Sequence, residues 1–401
     1  MNILVLNSGS SSLKFKLFEL PDLVVSATGL IEQIGEDQST AQLTFVDASG
    51  TENKIKRSDP VANHRQAIGI MHEMLRESGT LTDPGELAGI GHRVVHGGED
   101  FHQPTRINET VIAAIEHLIP LAPLHNPANL IGIRVAMEHG SQIPQVAVFD
   151  TAFHQSIPEH AYLYALPYRM YEQHKVRRYG FHGTSHSYVA RQAADYLDRP
   201  IESLNMITLH LGNGASAAAI RGGHCIDTSM GFTPLEGLMM GSRSGDLDPA
   251  ILFYLSRECG MDIDALDTLL NKESGLKGIC GENDMRTISA AADQGYNKAL
   301  LALTMFCYRI KKYIGAYMAA LGGVDCIVFT GGIGENSATV RQMSCQGMER
   351  LGLILDEGKN SNHQEEILEI QAAQSRVSLL VIPTDEEYEI ASQTLQVINN
   401  T

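Results

Sequence analysis

Two segments of this 401-residue sequence combine small residues with polar groups that suit phosphate binding. NSGSSSLK, residues 7–14, places an amide, four hydroxyls and a lysine directly after an apolar run. FTGGIGENS, residues 329–337, follows another apolar run and leads into a helix pattern. Backbone amides in such turns bind phosphate oxygens, although a tight hairpin explains the first segment and ordinary turn chemistry explains the second about as well. Lys14 favours phosphate binding at the first segment.

A third glycine-rich segment, HLGNGAS at 210–216, contains G-x-G-x-x-A. The run AAAI that follows predicts a strand where a dinucleotide-binding fold requires a helix, so a nicotinamide site is disfavoured. The sequence also lacks G-x-x-x-x-G-K-[ST] and the protein-kinase H-R-D and D-F-G motifs. Their absence excludes two other nucleotide-binding architectures.

Four charged or titratable side chains stand in or beside short Gly-rich or apolar segments: Arg93, Asp150, His182 and Arg243. His182 and His186 have the i, i+4 spacing of a zinc pair, but the metalloprotease glutamate is missing, which favours satisfied or turn histidines. Asp150 ends an apolar strand and is either a helix cap, the more frequent role, or a catalytic group. Together with the phosphate-type loops, these groups favour phosphoryl transfer.

The elements that must position these residues alternate between short apolar runs and amphipathic segments, which predicts an α/β fold. The short apolar runs that indicate strands lie within 3–7, 87–98, 145–150, 205–214 and 326–332, and they end in Gly, Asn, Asp or Thr. The predicted helices are His64–Ser78, Glu109–Leu118, Asn126–His139, Ser185–Leu197, Tyr296–Leu321 and Ser337–Leu351.

Residues 3–18 and 206–225 share one pattern: a strand, a turn of small residues and a second strand. A duplicated α/β domain, with its copies facing each other across a cleft, would produce this similarity. We expect a first domain at 1–150 and a second at 151–385. The last helix, 386–401, is expected to complete the first domain.

The charge and cysteine content restrict the partners and the compartment. The 47 acidic and 30 basic side chains give a net charge of −17, which disfavours nucleic acid as a partner. Six cysteines without C-x-x-C spacing, and an N-terminus without a basic leader, predict reduced thiols in a cytoplasmic protein. No run approaches the roughly 18 apolar residues of a membrane span, so no membrane partner is expected.

A series of motifs from Asn7 to Glu387 resembles the acetokinase family, which belongs to the fold group of sugar kinases, Hsp70 and actin. In chain order the motifs are VLNSGSSSLKF, GHRVVHGG, PLAPLHNPAN, VFDTAFHQSIP, YGFHGTSH, HLGNGAS, DTSMGFTPLEGLMMGSRSGDLDP, FTGGIGENS and IPTDEE. The resemblance implies two duplicated ribonuclease H-like (actin-like ATPase) domains and a homodimer. It also implies Mg²⁺-dependent, reversible transfer of the ATP γ-phosphoryl group to acetate, giving acetyl phosphate and ADP, with Mn²⁺ as a possible substitute. Propionate or butyrate as the acceptor is the nearest alternative, and an Hsp70-like ATP-dependent binding protein is a more distant one.

The resemblance also implies roles for matching residues. It places the metal at Asn7 and Glu386, although Asp385 stands where the family usually has Asn, which leaves Glu387 as the alternative acid. Asp150 would be the catalytic carboxylate, orienting Mg²⁺ or the acceptor, because acetate is already a nucleophile without a base. His182 and Arg243 would stabilise the transferring phosphoryl group.

Two larger sets would bind the substrates. The residues implied for acetate are Arg93, Val95, Leu124, His125, Phe181 and Pro234. The residues implied for ATP are Lys14, His210, Leu211, Gly212, Asn213, Gly214, Asp284, Met285, Arg286, Gly332, Ile333, Gly334, Glu335 and Asn336.

Overall fold

A computed structural model describes residues 1–47, 49–123, 125–140, 142–362 and 366–400. The strands are β1 Asn2–Ser8, β2 Ser12–Glu19, β3 Val24–Glu32, β4 Thr40–Val46, β5 Glu52–Arg57, β6 Leu87–Val94, β7 Thr105–Arg106, β8 Gln145–Phe149, β9 Asn205–Leu211, β10 Ala215–Arg221, β11 His224–Thr228, β12 Cys326–Thr330, β13 Leu368–Glu369 and β14 Ser378–Val381. The helices are α1 His64–Glu77, α2 Glu109–His117, α3 Asn126–His139, α4 Glu159–Tyr162, α5 Arg169–His174, α6 Gly183–Tyr196, α7 Ala250–Cys259, α8 Ile263–Lys272, α9 Gly275–Cys280, α10 Met285–Asp293, α11 Asn297–Leu321, α12 Gly331–Asn336, α13 Ala338–Cys345, α14 Glu357–Asn360 and α15 Glu386–Asn399.

The chain forms two compact units. Unit 1 comprises Met1–Ala152 and Asp385–Thr401, and unit 2 comprises Phe153–Thr384. Each unit contains one mixed sheet, with the order β5-β4-β3-β2-β1-β6-β8-β7 in unit 1 and β11-β10-β9-β12-β14-β13 in unit 2.

The same five-strand pattern occurs in both sheets. In unit 1, β1 pairs antiparallel with β2 and parallel with β6, β2 continues antiparallel to β3, and β6 continues parallel to β8. In unit 2, β9, β10, β11, β12 and β14 repeat these pairings in the same order. The repetition extends the similarity predicted from the two hairpin sequences to the whole centre of each sheet.

Strand β1 is buried on both faces because its side chains alternate between two clusters. Leu4 and Leu6 pack in a cluster that includes Met71 of α1, whereas Ile3 and Val5 pack in a cluster that includes Ile390 of α15. The last helix thus covers one face of the first sheet. This packing fixes the carboxyl end of β1 and the first turn of α15 within unit 1.

The helix predicted over 337–351 is wrong in its second half. Helix α13 ends at Cys345, and Gly347 then adopts a φ of 75°, in the left-handed region that breaks a helix. The other predicted helices are confirmed to within two residues at each end. None of the helices in the described residues has the length and hydropathy needed to cross a membrane.

Candidate active site

Four predicted polar residues of unit 1 lie together at one edge of its sheet. Asn7 lies near the carboxyl end of β1, Arg93 near that of β6, and Asp150 directly after β8. Because these three strands are parallel, their carboxyl ends meet at the same edge. Glu386 joins them as the first residue of α15.

The Arg93 guanidinium connects the four residues. Its Nε donates to Asp150 Oδ1 at 3.2 Å, its Nη2 donates to Asp150 Oδ2, and its Nη1 donates to Asn7 Oδ1 at 3.4 Å. Glu386 Oε2 lies 3.7 Å from Nε. The Asp150 side chain is 1% exposed and that of Arg93 is 18% exposed. Burial alone would lower the pKa of Arg93, but the charges of Asp150 and Glu386 raise it above its ordinary value.

The two candidate acids at the start of α15 have different partners. Glu386 lies beside Arg93, whereas Glu387 Oε2 lies 3.9 Å from Lys16 Nζ. Asp385, the N-cap of the helix, bonds Lys16 at 2.9 Å and accepts from the Tyr388 amide. Glu386 is therefore the acid that belongs to the Arg93 cluster.

The other residues of unit 1 that were predicted to bind substrates lie in different environments. Lys14 is exposed and pairs in register with Asn7 across the β1–β2 hairpin, so the two side chains share a face. Val95 is buried, but strand β6 ends at Val94, so strand alternation does not place it on the face of Arg93. His125 is the N-cap of α3, and Leu124 lies outside the described residues.

In unit 2, His182 has an uncommon backbone conformation. It is the N-cap of α6 with a φ of 56°, which non-glycine residues rarely adopt and which is enriched at functional sites. Its ring stacks on His210 with centroids 4.3 Å apart. His210 Nδ1 in turn lies 2.8 Å from the Ser185 hydroxyl. The buried Phe181, directly before His182, is held through its carbonyl by His154 Nε2 at 2.9 Å.

Arg243 lies close to the same group. A Cβ atom at Gly214 would lie 3.3 Å from His182 Nε2 and 3.8 Å from both Arg243 Nη atoms, so the imidazole and the guanidinium both lie close to this glycine. Arg243 Nη1 donates to the Pro234 carbonyl at 2.8 Å, and burial lowers its pKa. Unit 2 thus brings His182, His210, Gly214 and Arg243 together.

His186 does not join them as a metal ligand. Its two ring nitrogens contact the hydroxyls of Thr208 at 2.7 Å and Ser216 at 3.0 Å. It is buried and its hydrogen bonds are satisfied, as the absence of a metalloprotease glutamate favoured.

A cavity of about 880 Å³ in unit 2 is lined by eight of the residues expected to bind ATP. They are Gly212, Asn213, Asp284, Met285, Arg286, Gly332, Ile333 and Asn336. The turn after β12 that borders it requires Gly331, with a φ of 74°, because a Cβ there would lie 2.8 Å from the Leu211 carbonyl oxygen.

Three other residues expected to bind ATP do not line this cavity, because two of them are buried and the third accepts hydrogen bonds from backbone amides. Leu211 and Gly334 are buried and are not among the cavity-lining residues. The Glu335 carboxylate accepts from the amides of Gly331 at 2.9 Å and Thr384 at 3.2 Å. Arg341, which is fully buried, donates to the Gly334 and Glu335 carbonyls at 2.8 Å and so fixes the end of α12 beside the cavity.

Five further lining residues were missed: Asn283, Ser289, Ser337, Ala338 and Thr339. Ser289 follows Met285 by one helical turn of α10, and this i, i+4 spacing is a signal that would have found it. Ala338 and Thr339 begin α13, whose start was correctly expected near Ser337.

The donor set of unit 1 suits a hard divalent cation. Asn7 supplies an amide oxygen, and Asp150 and Glu386 supply carboxylate oxygens, the ligand types that Mg²⁺ prefers. These oxygens already surround one cation, the Arg93 guanidinium. The residues present therefore fit a magnesium site.

The repeated strand order identifies the class of this protein. Two copies of a sheet with three antiparallel strands followed by two parallel ones make it a duplicated ribonuclease H-like protein of the actin-like ATPase fold group.

Comparisons with known proteins place it more narrowly. The model of the Acetokinase family matches residues 2–392. An acetate kinase of Sulfurovum sp. is 56% identical over 400 residues, covering 100% of this chain and 99% of the relative. The crystal structure of Porphyromonas gingivalis acetate kinase has a TM-score of 0.93 at 46% identity and covers 99% of both chains. A propionate kinase structure from Francisella tularensis has a TM-score of 0.92 at 42% identity, covering 98% of this chain and 99% of the other. The chain belongs to the acetokinase family.

Proposed function

We propose that this protein catalyses the reversible transfer of the ATP γ-phosphoryl group to acetate, giving acetyl phosphate and ADP. The observation that carries the proposal is the Arg93 guanidinium, held beside Asp150, Asn7 and Glu386 in a chain of the acetokinase family. A guanidinium is suited to a carboxylate substrate because it donates two parallel hydrogen bonds. We assign the acceptor carboxylate to Arg93 of unit 1 and the adenosine to the cavity of unit 2.

Arg93 retains the capacity to bind acetate while it bonds its neighbours. A guanidinium has five N–H donors, and three hydrogen bonds join it to Asp150 and Asn7. The remaining donors are available for the substrate carboxylate. Acetate is ionised at neutral pH, so Asp150 orients the acceptor or the metal and takes no proton.

Asn7 and Glu386, with Asp150, would hold Mg²⁺. The ion, when bound, neutralises charge on the phosphate oxygens. His182 and Arg243 then stabilise the negative charge on the transferring phosphoryl group, and the 880 Å³ cavity takes the adenosine. The left-handed backbone of His182 supports this role, because such strain is retained where it positions a functional group.

The test is ATP-dependent formation of acyl hydroxamate with acetate, propionate, butyrate and no acid, each with Mg²⁺, Mn²⁺ or chelator. We expect product with acetate and a divalent cation. ATP hydrolysis that does not depend on an acid would contradict the proposal and favour an Hsp70-like activity.

Chain-length preference gives a sharper prediction. We expect kcat/KM for acetate to exceed that for propionate by roughly tenfold, which lies at the lower end of the range for discrimination by one methylene. Val95→Ala should narrow or reverse the preference by enlarging the methyl pocket, with little effect on the KM for ATP. Competition between the two acids in one reaction measures the ratio. A wild-type preference for propionate, or an unchanged ratio in Val95→Ala, would contradict the pocket assignment.

We also propose that the protein is a homodimer that associates through unit 2. Helix α7 has no buried residue, and Phe253, Tyr254 and Ile263 are 61%, 62% and 83% exposed. Helices α7 and α8 contact each other, and we infer that these side chains form an apolar patch of the kind that marks a protein–protein interface. The six free cysteines support a cytoplasmic location.

Sedimentation of the Phe253→Asp/Ile263→Asp variant tests the association. We expect a dimeric wild type and a monomeric variant, because a buried carboxylate is costly at an apolar interface. The paired substitution Lys54→Asp/Glu52→Lys, on exposed β5 of unit 1, is the control. A wild type that sediments as a monomer would contradict the proposal.

A further inference from the structure

The segment between β11 and α7, residues 229–249, has neither helix nor strand, yet it carries Pro234 and Arg243. Arg243 depends on this segment for its orientation, because its Nη1 donates to the Pro234 carbonyl at 2.8 Å. Backbone bonds hold part of the segment, such as those from the Gly241 amide to the Asn213 carbonyl at 3.0 Å and from the Ser244 amide to the Leu270 carbonyl at 3.1 Å, and side chains hold its start and its closing turn.

Arg178 holds the start of the segment. Its Nη1 lies within hydrogen-bond distance of three consecutive carbonyls, those of Thr228 at 2.8 Å and of Ser229 and Met230 at 3.1 Å. Its Nη2 donates to Glu236 Oε1 at 2.6 Å. One guanidinium therefore joins the end of β11 to a residue eight positions further along the chain.

Glu236 has a second hydrogen-bond partner, Tyr164. Its Oε2 accepts from the Tyr164 hydroxyl, and the same hydroxyl oxygen accepts from the Phe232 amide at 2.9 Å. Burial and the Glu236 charge raise the pKa of Tyr164, which keeps the phenol protonated as the donor. Residues 228–236 are thus held by the side chains of Arg178 and Tyr164, which lie outside the segment.

A second set of hydrogen bonds, made by Asp246, holds the other end of the segment. The Asp246 carboxylate accepts from the Gly237 amide at 2.9 Å and from the Tyr313 hydroxyl at 2.7 Å. The Asp246 amide donates back to the Gly237 carbonyl at 2.9 Å. Arg243 therefore lies in a closed turn of ten residues whose other end is fixed by Glu236.

We propose that Glu236 is a positioning residue that orients Arg243 and Pro234, a residue that the family resemblance implies for acetate binding, through its bonds to Arg178 and Tyr164. The inference rests on the proposed function and adds a determinant of both turnover and chain-length preference. A partly exposed ion pair, here with 16% and 31% exposed side chains, stabilises a protein only modestly. The effect of Glu236 should therefore appear in catalysis more than in folding.

The test compares Glu236→Ala with Glu236→Gln. We expect Glu236→Ala to lower kcat by roughly thirtyfold, since small misplacements of a catalytic group cost up to about a hundredfold. It should also change the acetate-to-propionate ratio while the KM for ATP stays near the wild-type value. Glu236→Gln should recover most of the kcat, because its amide oxygen still accepts from Arg178. Asp325→Ala, which removes the Arg199–Asp325 pair elsewhere in unit 2, is the matched control and should leave kcat and the ratio unchanged.

Hydrogen exchange of residues 229–249 separates this inference from the proposed function. We expect faster exchange there in Glu236→Ala and wild-type exchange in Glu236→Gln. Unchanged kcat and ratio in Glu236→Ala, equal losses in the Ala and Gln variants, or an equal loss in Asp325→Ala would each overturn the positioning role. A wild type that forms no acyl phosphate would overturn the proposed function, and the exchange data would then still decide whether Glu236 holds the segment.

Discussion

Arg243→Ala is expected to lower kcat by about a hundredfold, or ~3 kcal/mol, and to leave the KM for acetate nearly unchanged. The reason is that its charge, placed beside Gly214 and His182, matters most when the phosphoryl oxygens carry the charge of the transition state. His182→Ala should show the same separation of kcat from KM. Steady-state rates at saturating ATP, with acetate varied, measure both effects.

The control for this prediction is Arg350→Ala, which removes an exposed arginine of the same unit. Its kinetics should match those of the wild type. An increase in the KM for acetate without a fall in kcat, for either Arg243→Ala or His182→Ala, would remove that residue from the transition-state role.

Arg93→Ala should have two large effects. The KM for acetate should rise by about a hundredfold, because a paired contact to the carboxylate is lost in the ground state and the transition state alike. The free energy of unfolding should fall by about 3 kcal/mol, because the cation that offsets the buried Asp150 charge is removed. Kinetics and urea unfolding measure the two effects separately.

Two further variants separate the effect on acetate binding from the effect on stability. Arg93→Lys should restore little acetate binding, because an ammonium group cannot make the paired contact. Arg93→Ala/Asp150→Asn should recover much of the stability, since no buried carboxylate charge remains, and none of the acetate binding. A double variant as unstable as Arg93→Ala, or a change confined to the KM for ATP, would contradict the assignment.

The family resemblance assigned Asn7, Arg93 and Asp150 to one site, and the structure brings their side chains together, while their roles stay predictions. Asn7, Arg93 and Asp150 each lie at or near the carboxyl end of a strand of the structure, and parallel pairing brings such ends together. The choice between Glu386 and Glu387 required the structure, because it depends on Lys16, which is far away in the sequence.

Other features of the fold and the site could not be predicted from the neighbouring sequence. Helices α7 and α8 have no buried residue, so their apolar pattern does not report a core face. Val95, which the resemblance implies for acetate binding, comes directly after the last residue of β6, so strand alternation does not place it beside Arg93. The bonds of Glu236 to Arg178 and Tyr164 span 58 and 72 residues, and no periodicity predicts contacts of that range.

The most direct test of phosphoryl transfer to a carboxylate is ³¹P NMR of the reaction of ATP with acetate labelled by ¹⁸O in both oxygens. We expect ADP and acetyl phosphate, with the acetyl phosphate resonance shifted by one ¹⁸O in the bridge between carbon and phosphorus. That result requires attack of an acetate oxygen on the γ-phosphorus. Formation of AMP and pyrophosphate, or of ADP and inorganic phosphate alone, would contradict it.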